Sequence, residues 1–203
     1  MSDDVREHLL KIVVCGDGSS GKTSLCLRFA HDAFDTSYHQ TLGLDFFSRR
    51  LILPGDNPVM LQVWDVGGQS IASSMIEKYV SGADAVLIVY DVTNASSFEN
   101  VQEWASTVKK MFKTAEKIPT MVLVGNKVDL DGKRVIKIER HSNMAAENDM
   151  LAHFASARTG DSVNVMFLQV AAACLGIPIS KNELEKDITP QVLLANPSFS
   201  DLG

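Results

Sequence analysis

The chain has 203 residues, enough for one domain with a sizeable core, and its 45% hydrophobic and 22% charged composition is that of an ordinary globular protein. A net charge of -6 argues against a general basic surface for nucleic acid, and no apolar run approaches the roughly 18 residues of a membrane span. The acidic start MSDDVREHLL lacks the apolar segment of a secretory signal, Ser2 excludes N-terminal myristoylation, and Cys15, Cys26 and Cys174 show no metal-type spacing, so the cysteines read as reduced core residues of a cytoplasmic protein.

In chain order, HLLKIVVCG reads as a buried strand ending at Gly16, and KTSLCLRFAHDAF as a helix with Leu25, Leu27 and Phe29 at helical spacing. DFFSRRLILPG and NPVMLQVWDV form a hairpin across a Pro-Gly-Asp-Asn-Pro turn. DAVLIVYD is the continuous apolar run of a central strand. SSFENVQEWASTVKKMF reads as one helix from a serine cap, with Phe98, Val101, Trp104 and Val108 on one face. TMVLVGN is a strand, VIKIERHSNMAAEND a helix with an ambiguous start, AHFASA a short strand, and VNVMFLQVAAACLG an apolar helix stopped by Gly176 and Pro178. Strands alternating with helices predict an α/β fold of about six strands and five helices, a mostly parallel sheet covered on both faces with one antiparallel edge strand. Ligands of such sheets bind at the carboxyl ends of the strands. Residues 1–8 read as an extension, 9–178 as the domain, and 179–203 as a polar, partly disordered tail.

Gly16-Asp17-Gly18-Ser19-Ser20-Gly21-Lys22-Thr23 fits G-x-x-x-x-G-K-[ST] between a strand and a helix, the context that makes the pattern a phosphate cradle, or P-loop. Bare backbone N–H groups there form a nest for phosphate oxygens, and the helix starting through Ser24 adds its unpaired N–H groups and positive dipole end. Lys22 supplies a point charge for the β- and γ-phosphates, and Thr23 a hydroxyl for Mg²⁺. WDVGGQS supplies Asp65 at the end of a strand: Asp65 suits Mg²⁺, the Gly68 amide a γ-phosphate, and Gln69 the orientation of an attacking water. In GNKVD, the Asp129 carboxylate can accept from the N1–H and N2–H₂ of guanine, which adenine lacks. Asn126 ties this loop to the P-loop, Lys127 lays its methylene stem over the base, and in Ser156-Ala157-Arg158 the Ala157 N–H is placed for guanine O6.

In this order and spacing the P-loop, D-x-x-G-Q, N-K-x-D and S-A-x motifs resemble those of small GTPases of the Ras superfamily, which are P-loop NTPases. Within it, YHQTLGLDFF resembles the Rab switch I pattern T-I-G-x-D-F, and YDVTNASSFENVQEW resembles the matching Rab stretch. GLDFF, Gly67-Gly68-Gln69 and TGDSV are similar to a divergent Rab branch. The resemblance implies a monomeric switch that binds GTP or GDP with Mg²⁺, hydrolyses GTP slowly, and serves vesicle or endosomal traffic. Its partners would be effectors, an exchange factor and a GTPase activator. It implies that Thr41 ligates Mg²⁺ and meets the γ-phosphate, that Phe34 packs edge-on against guanine with Asp35 near the ribose, and that Tyr38 belongs to the nucleotide site. Phe46, Trp64 and Tyr79, with Leu42 and Gly43, match the Rab effector surface, although ordinary core packing accounts for the aromatics equally well.

The chain also departs from that pattern. Gly67-Gly68-Gln69-Ser70-Ile71-Ala72 stands where most Rabs have Ala-Gly-Gln-Glu-Arg-Phe, which removes side chains that regulators use and predicts a looser loop at Gly67. Gly18 leaves room for Gln69 and for an activator's arginine, and Arg158 replaces a customary lysine. Rabs are prenylated at C-terminal cysteines, yet the last cysteine here is Cys174. The reading is a longer native chain, or else a protein that reaches the cytoplasmic face of endomembranes only through partners. Two rivals use the same motifs: a P-loop kinase, which needs an acceptor pocket and lid, and a GTP-binding scaffold with little hydrolysis, against which Gln69 argues.

Overall fold

The computed structural model describes residues 7–37, 39–69, 75–113 and 115–186. Its six strands are β1 (His8–Cys15), β2 (Leu44–Leu53), β3 (Asn57–Val66), β4 (Ala85–Asp91), β5 (Thr120–Asn126) and β6 (Leu151–Phe154). The helices are α1 (Lys22–His31), α2 (Met75–Val80), α3 (Ala95–Glu99), α4 (Val101–Met111), α5 (Ile138–Glu147), α6 (Val163–Leu175) and α7 (Lys181–Lys186), with a 3₁₀ segment at Val128–Lys133.

The strands form one sheet in the order β2-β3-β1-β4-β5-β6. β2 pairs antiparallel with β3 from Leu44↔Val66 to Leu53↔Asn57, and every other neighbour is parallel. This is the mixed sheet that the alternation of elements predicts. Alternation along β1 divides the core. Leu10, Ile12 and Val14 join Phe29 of α1 and Phe167 of α6 on one face. Val13 and Cys15 join Ile76 of α2, Phe98 of α3 and Trp104 of α4 on the other. All seven residues of β4 are buried, as a central strand covered on both faces requires.

Local chemistry corrects several element boundaries. The single helix expected after β4 is two. Asn94, not a serine, caps α3 by accepting the Ser97 N–H at 3.2 Å, and the chain turns at Asn100 before α4. Phe98, Val101, Trp104 and Val108 are nevertheless all buried together. α2 and α7 were not anticipated, because six residues are too few to display a helical period, so the described residues hold seven α-helices rather than about five. β1 begins at His8, Glu7 pairs with Arg50, and Ile179 and Leu184 pack on the first core cluster. Cys15 and Cys26 are free and buried, Cys174 is free and half-buried, and burial pushes the Cys15 thiol up to about 12. Among the described residues no helix is long and apolar enough to cross a membrane.

What the fold contributes to function is a rim. Parallel β1, β4, β5 and β6 and the return strand β3 end at the same edge, so the loops after them meet.

Candidate functional site

At that edge lies a cavity of about 490 Å³. Gly18, Ser19, Gly21, Lys22, Thr23 and Ser24 form its floor; Phe34, Asp35 and Thr41 one wall; Gly68 and Gln69 another; and Asn126, Lys127, Asp129, Ala157 and Arg158 the far end. Five more residues singled out from the sequence, Gly16, Asp17, Ser20, Asp65 and Ser156, stand behind this lining. Tyr38 and Ser70 to Ala72 lie outside the described residues.

The loop after β1 is shaped by close backbone approaches. A Cβ at Gly16 would lie 2.2 Å from the Val89 carbonyl oxygen of β4. Gly21 has a left-handed φ of 88°, and a Cβ there would lie 2.3 Å from Asn126 Nδ2. α1 then starts at Lys22 without a side-chain cap, so its first N–H groups stay available to an anion. Lys22 is buried, which holds its pKa below the ordinary lysine value. Its Nζ donates to the Asp17 carbonyl at 2.8 Å, leaving the cation folded over the loop.

Beside the floor, three oxygen-bearing side chains converge from three elements. Thr23 Oγ1 on α1 lies 2.7 Å from Thr41 Oγ1 and donates to Asp65 Oδ2 near the end of β3, while Thr41 Oγ1 lies 3.4 Å from the same carboxylate oxygen. Asp65 is fully buried, which raises its pKa, although the Thr23 hydroxyl and Lys22 oppose that shift. Its Oδ1 is buried with no hydrogen-bond partner. A half-satisfied buried carboxylate between two hydroxyls is a hard-oxygen donor set that suits a small divalent cation such as Mg²⁺.

At the far end, Asn126 joins the two halves. Its Nδ2 donates to the Ser20 carbonyl at 2.9 Å, and its Oδ1 accepts the Ala157 N–H at 3.1 Å. The Ala157 N–H, singled out in the sequence for a base, is thus held by the Asn126 amide oxygen. Ser156 Oγ donates to Asp129 Oδ1 at 2.7 Å while accepting the Thr159 N–H at 3.1 Å, so the serine fixes one carboxylate oxygen of Asp129. Lys127 has φ 69°, and its Nζ donates to the Ser19 carbonyl at 2.8 Å.

Three supporting interactions were missed in the sequence. Asp91, opposite Asn126 in the β4–β5 register, accepts from Lys127 Nζ at 2.6 Å. Burial pushes the Asp91 carboxyl up, but the bonds from Lys127 and Thr93 outweigh it, so its pKa falls below the usual range. An acid closing a strand on the same rim was the available signal. Arg28 of α1 donates to the carbonyls of Ala157 at 2.9 Å and Arg158 at 2.7 Å. The Asp17 carboxylate turns away from the cavity and accepts from Trp104 Nε1 at 3.0 Å and Asn100 Nδ2 at 2.6 Å, which anchors the loop to α4. Nothing in sequence spacing marks the last two.

The two loops flanking the cavity are joined. Gly67 N–H donates to the Gly43 carbonyl at 2.9 Å, continuing the β2–β3 ladder. A Cβ at Gly68 would lie 2.3 Å from Gly18 N, and one at Gly67 would lie 2.5 Å from the Thr41 carbonyl oxygen. Gly67 is therefore packed, contrary to the looseness expected of a double glycine. Past this junction Leu42 is 83% exposed and Phe46 51%, and Phe46 meets Trp64 edge-on at 5.9 Å. Trp64 and Tyr79 are partly buried against the second core cluster. Tyr79 comes near the junction: its hydroxyl would lie 3.8 Å from a Cβ on Gly43.

The sequence model of the Ras family matches residues 11–176. The chain is also 54% identical over 188 residues to the Ras-related protein Rab-28 of Caenorhabditis elegans, a match covering 93% of this chain and 76% of that protein. The chain belongs to the Ras family of small GTPases, and within it to the Rab proteins of the Rab-28 branch: it is a GTP-binding switch that hydrolyses GTP.

Proposed function

We propose that the cavity holds GTP or GDP with its phosphates on the loop Gly16–Ser24 and its base between Lys127, Asp129 and Phe34, and that hydrolysis releases the two flanking loops. The observation that carries this reading is the convergence of Thr41 with Thr23 and Asp65. It brings a residue of an otherwise exposed loop to Thr23 and Asp65, which supports the reading that Thr41 reports the state of the nucleotide.

Thr23, Thr41 and Asp65 would hold a magnesium ion, which when bound offsets the negative charge of the β- and γ-phosphates. Lys22, released from the Asp17 carbonyl, moves its charge onto the same phosphates. The N–H groups at the start of α1 and the Gly68 amide bind phosphate oxygens. Gln69 orients water for in-line attack, so catalysis is positioning and electrostatics, with no covalent intermediate. Asp129 accepts from the guanine edge, and Asp91 holds Lys127 over the base plane. Phe34 and Asp35 close the base and ribose side, with Tyr38 expected beside them.

The output is shape. With GTP, Thr41 and Gly68 are held on the γ-phosphate, and Leu42, Gly43, Phe46, Trp64 and Tyr79 present one ordered surface to effectors; after hydrolysis they are released. The Rab relative supports a role in vesicle traffic at the cytoplasmic face of endomembranes, with an exchange factor and a GTPase activator setting the cycle.

Metal removal tests this directly. Chelation of Mg²⁺ by EDTA should speed release of a fluorescent GDP by about tenfold or more, the equivalent of about 1.4 kcal/mol of lost binding, and added Mg²⁺ should restore slow release. Release that ignores both reagents would remove Thr23 and Asp65 from metal binding.

A further inference from the structure

One residue below the base end of the cavity, three strands carry a single row. Tyr90 of β4 pairs in register with Gly125 of β5, and Gly125 with Phe154 of β6. The next residues along are Asp91 and Asn126, and Ser156 and Ala157 follow Phe154 by two and three positions. Gly125 is bare because its neighbours fill the space: a Cβ there would lie 2.7 Å from Phe154 Cδ1 and 2.9 Å from the Tyr90 hydroxyl oxygen. His141 of α5 closes the row. Its Nδ1 lies 2.9 Å from the Tyr90 hydroxyl, and its ring meets that of Phe154 at 4.1 Å between centroids.

This imidazole is an expensive way to fill a core. His141 is 1% exposed, and its Nε2 is buried with no hydrogen-bond partner among the described residues. A buried unpaired nitrogen costs stability that an apolar side chain would not. Burial, then the neighbouring His153 and Arg134, hold the His141 pKa down to about 4, so the ring is neutral near pH 7. What the side chain secures is a tie from α5 to two strands at once. From Phe154 the connection to the base loop is short. The Ala155 N–H donates to the Gly125 carbonyl at 3.0 Å, and the Ala155 carbonyl accepts the N–H of Val128, between Lys127 and Asp129, at 3.4 Å. Arg134, just past the 3₁₀ segment that contains Asp129, lies over the Phe154 ring at 5.0 Å.

We propose that His141 is a positioning residue for base recognition: by bonding Tyr90 and stacking on Phe154 it sets the spacing of the β4, β5 and β6 ends, and through Ala155 and Val128 the placement of the Asp129 carboxylate. Without the imidazole, Phe154 has room to move toward α5, and Ala155 and Val128 move with it. The phosphate end, built on β1, α1 and β3, is not attached to this row.

The inference rests on the reading that Asp129 accepts from the guanine 2-amino group, and the experiment separates the two. GDP and IDP, which lacks that amino group, compete against a fluorescent GDP on the wild type, His141→Ala and Tyr90→Phe. The wild type should prefer GDP by about tenfold or more, as the loss of one charge-assisted hydrogen bond requires. His141→Ala should cut that preference about threefold or more, and Tyr90→Phe, which removes only the hydroxyl, should cut it in the same direction. The acceleration of GDP release by EDTA should stay within about twofold of wild type in both variants, because the metal corner is untouched. A fold that is merely loosened weakens both nucleotides alike and leaves their ratio unchanged. An unchanged ratio in both variants, or an altered EDTA response alongside a reduced ratio, overturns the proposal. If the wild type itself does not prefer GDP, it is the Asp129 reading that fails, and the His141 inference with it.

Discussion

Replacing Asp129 by asparagine moves nucleotide preference from guanine toward xanthine by about 10²–10⁴-fold. The carboxylate offers two acceptor positions to the guanine N1–H and N2–H₂, and each charged hydrogen bond lost contributes about 1.5–3 kcal/mol. The surroundings sharpen the switch. Ser156 Oγ already accepts the Thr159 N–H, so its own hydrogen goes to Asp129 Oδ1 at 2.7 Å. An asparagine keeps that bond only with its carbonyl oxygen on the serine side. Its NH₂ then takes the other position, where it opposes the guanine amino group and matches the xanthine 2-oxo group. Displacement of a fluorescent nucleotide by GDP and by XDP measures the change. Guanine preference retained in Asp129→Asn would show that another group reads the base.

The second large effect is on hydrolysis. Gln69→Leu should lengthen the GTP-bound lifetime about tenfold or more, from an intrinsic rate that for such switches is on the order of 10⁻⁴ s⁻¹. Gly68 is pinned against the Gly18 amide, so the residue after it is delivered to the cavity wall, and Gln69 does line it. Leucine preserves the bulk there but removes both the donor and the acceptor that would orient water. Single-turnover decay of protein-bound GTP should slow while release of GDP is unchanged. Equal decay rates for the two proteins would show that Gln69 does not act on the attacking water.

The features legible in the sequence are those that depend on local pattern. β4 announces itself as an unbroken apolar run, and the Gly16–Thr23 loop as glycines between a strand and a helix. Asp65, Asn126 and Asp129 could be placed because each lies at or just after the end of a strand, and parallel strands deliver such residues to one rim. What stayed hidden depends on tertiary approach. Arg28 reaches the carbonyls of Ala157 and Arg158 across 129 and 130 positions of chain, and Trp104 reaches Asp17 across 87. The bond from the Ala157 N–H to the Asn126 amide oxygen, across 31 positions, is of the same kind. Gly67 is the clearest case. Read locally, a second glycine means a looser loop; in the fold, its bareness is occupied by the Thr41 carbonyl. The division of α3 from α4 was missed because Phe98 and Trp104 keep one apolar face across the turn at Asn100.

The most direct measurement of the central claim is amide hydrogen exchange across residues 39–69 in Mg²⁺, with GDP bound and with a non-hydrolysable GTP analogue bound. The account predicts slower exchange in the GTP form at two places only, around Thr41–Gly43 and around Gly67–Gln69, with β2 and β3 between them unchanged. Identical exchange in the two nucleotide states would contradict it, because the loops would then not read the γ-phosphate.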